Sequence, residues 1–220
     1  MAANSPLGAS DRRGAQPGEP VAAVLFDCDG VLQYAKDGWF ERLEELNEGF
    51  DFHLLEEMWA VERPALRGEV SLREAVEDLV ARRGLPPDQV DLIASLWDNI
   101  RIDPAAWQVV RDVRAAGSQA YLATNQLDYR RDLMLELGYA DLVDGTYFSC
   151  DVGAAKPDAA YFEAILADLG LPAQRVVFVD DVEANVEAAA TCGIVAVRHE
   201  PSAGSGDLRQ LLASAGVRGV

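Results

Sequence analysis

The 220-residue chain is short of cations, cysteine and histidine, and it holds no long apolar run. Lys and Arg number 19 against 37 Asp and Glu, a formal net charge of −18. So acidic a chain is a poor partner for nucleic acid or an anionic membrane surface, because phosphate backbones are gripped by stripes of Lys and Arg. Any anionic ligand must then be received locally, by a metal ion or a few fixed cations. The three cysteines, Cys28, Cys150 and Cys192, are odd in number and far apart. They form neither a zinc-ligand spacing nor a disulfide framework, which points to a reducing compartment and a cytoplasmic location. The histidines His53 and His199 are isolated, and neither is assigned a role. An uninterrupted apolar stretch of about 18 residues, the minimum for a membrane span, is absent. No internal repeat is visible. What the chain has is a 50% hydrophobic composition, ample for a packed core. Its length suits one domain, or one domain carrying an insertion.

Residues 1–20 are rich in Ala, Gly, Ser and Pro, without the apolar region of a secretory signal, and read as a flexible tail. The run 22–26 is continuously apolar, as in a strand buried on both faces. From about 39 to 102 the rhythm is helical. Trp39, Phe40, Leu43, Leu46 and Phe50 recur at steps of three and four residues, as do Leu72, Val76, Leu79 and Val80. Beyond Asp103-Pro104, helices and strands alternate. Helices are expected over 104–116 and 128–137, from Pro157 to Gly170, and from about 182 to 190. Strands are expected over 119–123, 146–149, 176–179 and 194–197. Strands alternating with helices imply right-handed crossovers and a parallel sheet. The fold class is therefore α/β, a Rossmann-like parallel core with a small helical domain inserted after the first strand. The core spans 21–33 and 103–200, the helical cap 34–102, and 201–220 reads as a Gly/Ser-rich C-terminal tail with one or two helical turns.

In such sheets the functional crevice lies at the carboxyl ends of the strands. Asp27 and Asp29 follow the first strand, Thr124-Asn125 the strand over 119–123, and Asp180-Asp181 the strand over 176–179. Lys156 stands after the strand over 146–149. Four elements thus bring acidic pairs, a hydroxyl and a lysine to one rim. Carboxylates so close need a cation among them. Hard oxygen donors with open positions suit Mg²⁺, which keeps waters and takes a phosphate oxygen. Lys156 offers a point charge to a second phosphate oxygen, and Thr124 with the loop amides near Cys28 and Asn125 can bind the rest. An EF-hand is excluded, since Val31 stands where a third oxygen ligand belongs.

The segment Leu25-Phe26-Asp27-Cys28-Asp29-Gly30-Val31-Leu32 resembles the first motif of the haloacid-dehalogenase-like hydrolases. Leu122-Ala123-Thr124-Asn125 resembles the second, Lys156-Pro157-Asp158 the third, and Val177-Phe178-Val179-Asp180-Asp181 the fourth, in family order. The insertion resembles the helical cap of that superfamily's first subclass. The resemblance implies Asp27 as a nucleophile forming an aspartyl-phosphate, and Asp29 as general acid and then base. It implies Mg²⁺ held by Asp27, the Asp29 backbone carbonyl and Asp181, with Asp180 close by. It implies a phosphoryl group bound by Thr124, Asn125 and Lys156. The second aspartate of the first motif, Asp29, separates family phosphatases and phosphomutases from dehalogenases. The expected function is hydrolysis of a small phosphorylated metabolite such as a sugar phosphate, by a monomer or homodimer. A phosphomutase and a non-enzymatic binding or regulatory protein on the same fold are the alternatives. A receiver domain is disfavoured by length and by the helical insertion. Substrate choice is expected in the cap, where Trp39, Trp59, Arg63, Arg67, Trp97 and Arg101 stand out, with hinges near 33–37 and 101–104.

Overall fold

The computed structural model describes residues 20–39, 41 and 53–220. The expected tail over 1–20, save its last residue, lies outside them, as does most of the periodic stretch 39–50. In chain order the described elements begin with β1 (Ala23–Phe26), β2 (Gln33–Tyr34), α1 (His53–Ala65), α2 (Leu72–Arg83) and α3 (Gln89–Ala94). They continue with β3 (Arg101–Ile102), α4 (Pro104–Ala115), β4 (Gln119–Thr124), α5 (Asp128–Glu136) and α6 (Tyr139–Leu142). The last are β5 (Gly145–Phe148), α7 (Ser149–Val152), α8 (Ala159–Leu169), β6 (Val176–Asp180), α9 (Glu183–Thr191), β7 (Val195–Arg198) and α10 (Gly204–Ser214).

Five strands form a sheet in the order β5-β4-β1-β6-β7, and every neighbouring pair runs parallel. The continuous apolar runs at β1 and β6 follow from their central places, with both faces covered. Side chains along β1 alternate between two cores. Val24 and Phe26 join Val109, Val110, Val113, Leu208 and Leu212 on the α4 and α10 side. Ala23 and Leu25 join Tyr161, Phe162, Ile165 and Ala189 on the α8 and α9 side. Between β2 and β3 the helices α1, α2 and α3 bury a second cluster, including Met58, Leu72, Val76, Leu79 and Ile93, joined by Trp97 just after α3. Helix α2 opens on a capping box, Ser71 with Glu74, and closes on Gly84.

The segments expected as hinges pair as an antiparallel ribbon, Gln33 with Ile102 and Tyr34 with Arg101. Pro157 does not open α8. It follows a cis peptide with Lys156, and Asp158, a stronger N-cap, receives the Ala160 amide and starts the helix at Ala159, two residues later. Ser149 leaves β5 and opens α7. The largest departure is the C-terminal segment. Residues 204–214, expected as a tail with a turn or two, form α10, and Leu208 and Leu212 are fully buried. Gly and Ser near the helix start hid an apolar i, i+4 pair that covers the sheet. Among the described residues no helix is long and apolar enough to cross a membrane.

Candidate active site

The rim cavity at the carboxyl ends of β1, β4 and β6 is lined by Asp27, Asp29, Gly30, Thr124, Asn125, Lys156, Asp181, Val182 and Asn185. Of the site residues expected from the sequence, Asp27, Asp29, Thr124, Asn125, Lys156 and Asp181 line this rim. Asp180 is buried immediately behind it.

The strand β1 ends at Phe26, and the backbone turns at once. The Cys28 carbonyl accepts from the amides of Val31, Leu32 and Gln33. This turn buries Asp27 and leaves Asp29 at the surface. Gly30 completes the turn at φ +80°, where a Cβ would lie 2.5 Å from Asp181 Oδ2. Glycine is therefore needed for the conformation and for the approach of Asp181.

Lys156 Nζ lies 2.8 Å from Asp27 Oδ1 and 2.6 Å from Asp180 Oδ2, with its side chain almost wholly buried. Asn125 holds the lysine in place from behind: its Nδ2 donates to the Lys156 carbonyl and its Oδ1 accepts the Lys156 amide. The polar atoms of the Asn125 side chain are thus committed to the backbone. Asp180 also accepts from the Val182 amide and from Asn185 Nδ2, so its carboxylate is fixed on several sides. Asp27, Asp180 and Asp181 place one carboxylate oxygen each within 4.8 Å of one another.

Burial pushes the Asp27 carboxyl up to about 7, with Asp180 adding to the rise while Lys156 opposes it. Burial works to lower the Lys156 ammonium, but Asp27 and Asp180 outweigh it and hold it above its ordinary value. Burial, then Asp180, raises Asp181. One lysine faces three carboxylates, so the cluster is short of positive charge. An all-oxygen donor set that Gly30 leaves open fits a hard divalent cation.

Asp29 is held differently. Gln33 Nε2 donates to Oδ1 at 2.8 Å and Gln126 Nε2 to Oδ2 at 2.7 Å. Arg130 Nη2 reaches both oxygens, at 2.8 and 3.1 Å. Behind Gln33, the buried Tyr139 hydroxyl donates to its side-chain carbonyl. Gln33, Gln126, Arg130 and Asn185 escaped the sequence reading. A signal existed for two of them. Gln126 follows Thr124-Asn125 in the same strand-end loop, and Arg130 falls in the first turn of α5, both aimed by their element toward the rim.

A parallel α/β sheet with this acidic cluster and buried lysine at its rim is an arrangement that could hold a divalent cation. The chain belongs to the haloacid dehalogenase-like hydrolases, whose family model matches residues 21–193. It is 28% identical over 205 residues to the ribulose-1,5-bisphosphate 5-phosphatase of Halopiger xanaduensis, covering 83% of this chain and 86% of that one. It is 29% identical over 149 residues to the sesquiterpene phosphatase astK of Aspergillus oryzae, covering 66% and 76%. A HAD family enzyme of Bacteroides thetaiotaomicron, solved as a mutant with magnesium and inorganic phosphate, shares the fold. Its TM-score is 0.70 at 22% identity, covering 81% of this chain and 93% of that one.

Proposed function

We propose that the protein hydrolyses a small-molecule phosphomonoester through an aspartyl-phosphate on Asp27, with Mg²⁺ as cofactor. The observation that carries this reading is Asp27 itself. It is a buried carboxylate seated between Lys156 and the Asp180-Asp181 pair, with Asp29 one turn outward at the same cavity. A carboxylate nucleophile can approach an anionic phosphate only where fixed positive charge is present. Asp27, Asp181 and the Asp29 backbone carbonyl, with Asp180 behind, would hold Mg²⁺, which would supply the charge that Lys156 alone does not.

Asp27 attacks phosphorus and Asp29 gives a proton to the leaving alkoxide. Asp29 then takes a proton from the water that cleaves the aspartyl-phosphate. Thr124 and Lys156 bind phosphoryl oxygens, and Asn125 positions Lys156 through its backbone. Residues 34–102 act as the cap over this rim, moving on the β2–β3 ribbon. The curated relatives act on a sugar bisphosphate and, by name, on sesquiterpene phosphates, so both polar and hydrocarbon esters suit the family resemblance.

The test is a trapping experiment. Asp29→Asn, given an aryl phosphate whose leaving group needs no proton, should accumulate one phosphoryl group, mapped to Asp27 by mass spectrometry of the quenched protein. A phosphoryl group on another residue, or none under conditions where the wild type turns over, contradicts the mechanism.

A further inference from the structure

Beside the phosphate cavity lies a second one, about 170 Å³, walled by Trp39, Met58, Trp59, Leu96 and Trp97, with Glu62, Asn99 and Arg130 at its edges. Arg130 links the two: it lines this cleft, and its Nη2 sits on the carboxylate of Asp29, which lines the other. An ester with its phosphate at Asp27 and its bridging oxygen at Asp29 therefore has its organic part beside Arg130, at the entrance to the cleft.

The indole N–H groups of Trp39 and Trp97 and one oxygen each of Glu62 and Asn99 are already engaged. Trp39 Nε1 donates to the Leu96 carbonyl at 3.2 Å, and Trp97 Nε1 donates to Glu62 Oε1 at 3.1 Å. Asn99 Oδ1 accepts the Lys36 amide at 2.6 Å. What remains on its walls is ring face, thioether and alkyl surface, with polar atoms confined to the edge at Glu62, Asn99 and Arg130. A sugar brings several hydroxyls, and each that loses water without a partner opposes binding. A flat or hydrocarbon group brings none, and aromatic walls reward it. Trp59, at the wall, is 60% exposed, an unusual state for so large an apolar side chain unless something covers it. The volume is telling too, since an apolar cavity of about 150 Å³ accommodates a benzene ring.

We propose that the leaving group is an apolar alcohol of about the size of one aromatic ring, seated among Trp39, Trp59 and Trp97. This deepens the hydrolase reading and rests on it. It also chooses against the sugar phosphate expected from the sequence.

The experiment compares kcat/KM for benzyl phosphate and glucose 6-phosphate, both esters of primary alcohols, so that the chemistry of departure is matched. Benzyl phosphate should be preferred by about 100-fold or more, and Trp59→Ala should shrink that ratio about tenfold, chiefly through KM. Turnover of both esters at similar rates, or preference for the sugar, overturns the cleft assignment while the hydrolase reading stands. If neither ester is hydrolysed, it is the hydrolase reading that fails. The cleft is then decided by titrating benzylphosphonate against tryptophan fluorescence. Saturable quenching that Trp59→Ala weakens supports the assignment, and absence of quenching overturns it.

Discussion

Asp27 and Asp181 carry the charge balance of the site, and each is sensitive to a different perturbation. Asp27 has its carboxyl raised from 3.8 to about 7, chiefly by burial. A raised carboxyl contributes stability below its unfolded pKa, and that contribution is lost as pH rises through the folded one. The metal-free protein should therefore lose stability from about pH 4 to pH 7 relative to Asp27→Asn, a comparison that cancels the other acids. A proton and a cation also compete for Asp27. Apparent Mg²⁺ affinity, read by calorimetry, should fall as pH drops below about 7, at up to roughly tenfold per pH unit. Affinity flat between pH 5.5 and 8 would contradict the assignment of Asp27 as a ligand. Asp181 depends on Gly30 instead. Gly30→Ala sets a methyl 2.5 Å from Asp181 Oδ2 at a φ of +80°. It should cost about 1–2 kcal/mol from the left-handed backbone alone, and weaken Mg²⁺ binding as Asp181 is displaced. Unchanged Mg²⁺ affinity in a folded Gly30→Ala protein would remove Asp181 from the ligand set.

At the scale of elements, legibility in the sequence tracked how much of the pattern is local. Strands β1 and β6 announce themselves because central parallel strands are apolar throughout, and the residues that follow them must stand at the rim. Asp27, Asp180 and Asp181 were legible for that reason. Helix α10 was not, because Gly204, Ser205 and Gly206 carry the composition of a linker while the helix is stabilised by tertiary burial of Leu208 and Leu212. Leu208→Ala should lower stability by about 2–5 kcal/mol, the usual cost of emptying a closed core position. A change within about 0.5 kcal/mol in urea unfolding, the range of surface substitutions, would mean that the segment is dispensable to the core. The clamp on Asp29 was illegible for a different reason. Gln33 opens β2, Gln126 follows β4 and Arg130 lies in α5, and the three converge only when these elements are assembled.

For the whole molecule, the helical insertion is seated on the core at several points. Asp128 Oδ1 receives the Leu72 amide at 2.9 Å, and Tyr129 donates to Asp98 at 2.6 Å. Gly68 comes so near the Cys150 carbonyl that a Cβ would lie 2.2 Å from it. These contacts hold the tryptophan cleft against the rim, and Arg130 joins the two. The acidic character of the chain, at −18, finds its logic here. With so little general attraction for an anion, the proposed reading leaves binding to the buried Lys156 and a divalent cation. The most direct measurement is phosphate release from benzyl phosphate, with Mg²⁺ or with EDTA, by the wild type and by Asp27→Asn. The account predicts turnover in Mg²⁺, none in EDTA, and a loss of at least about 10³-fold in Asp27→Asn. Turnover that persists in EDTA or in Asp27→Asn would contradict it.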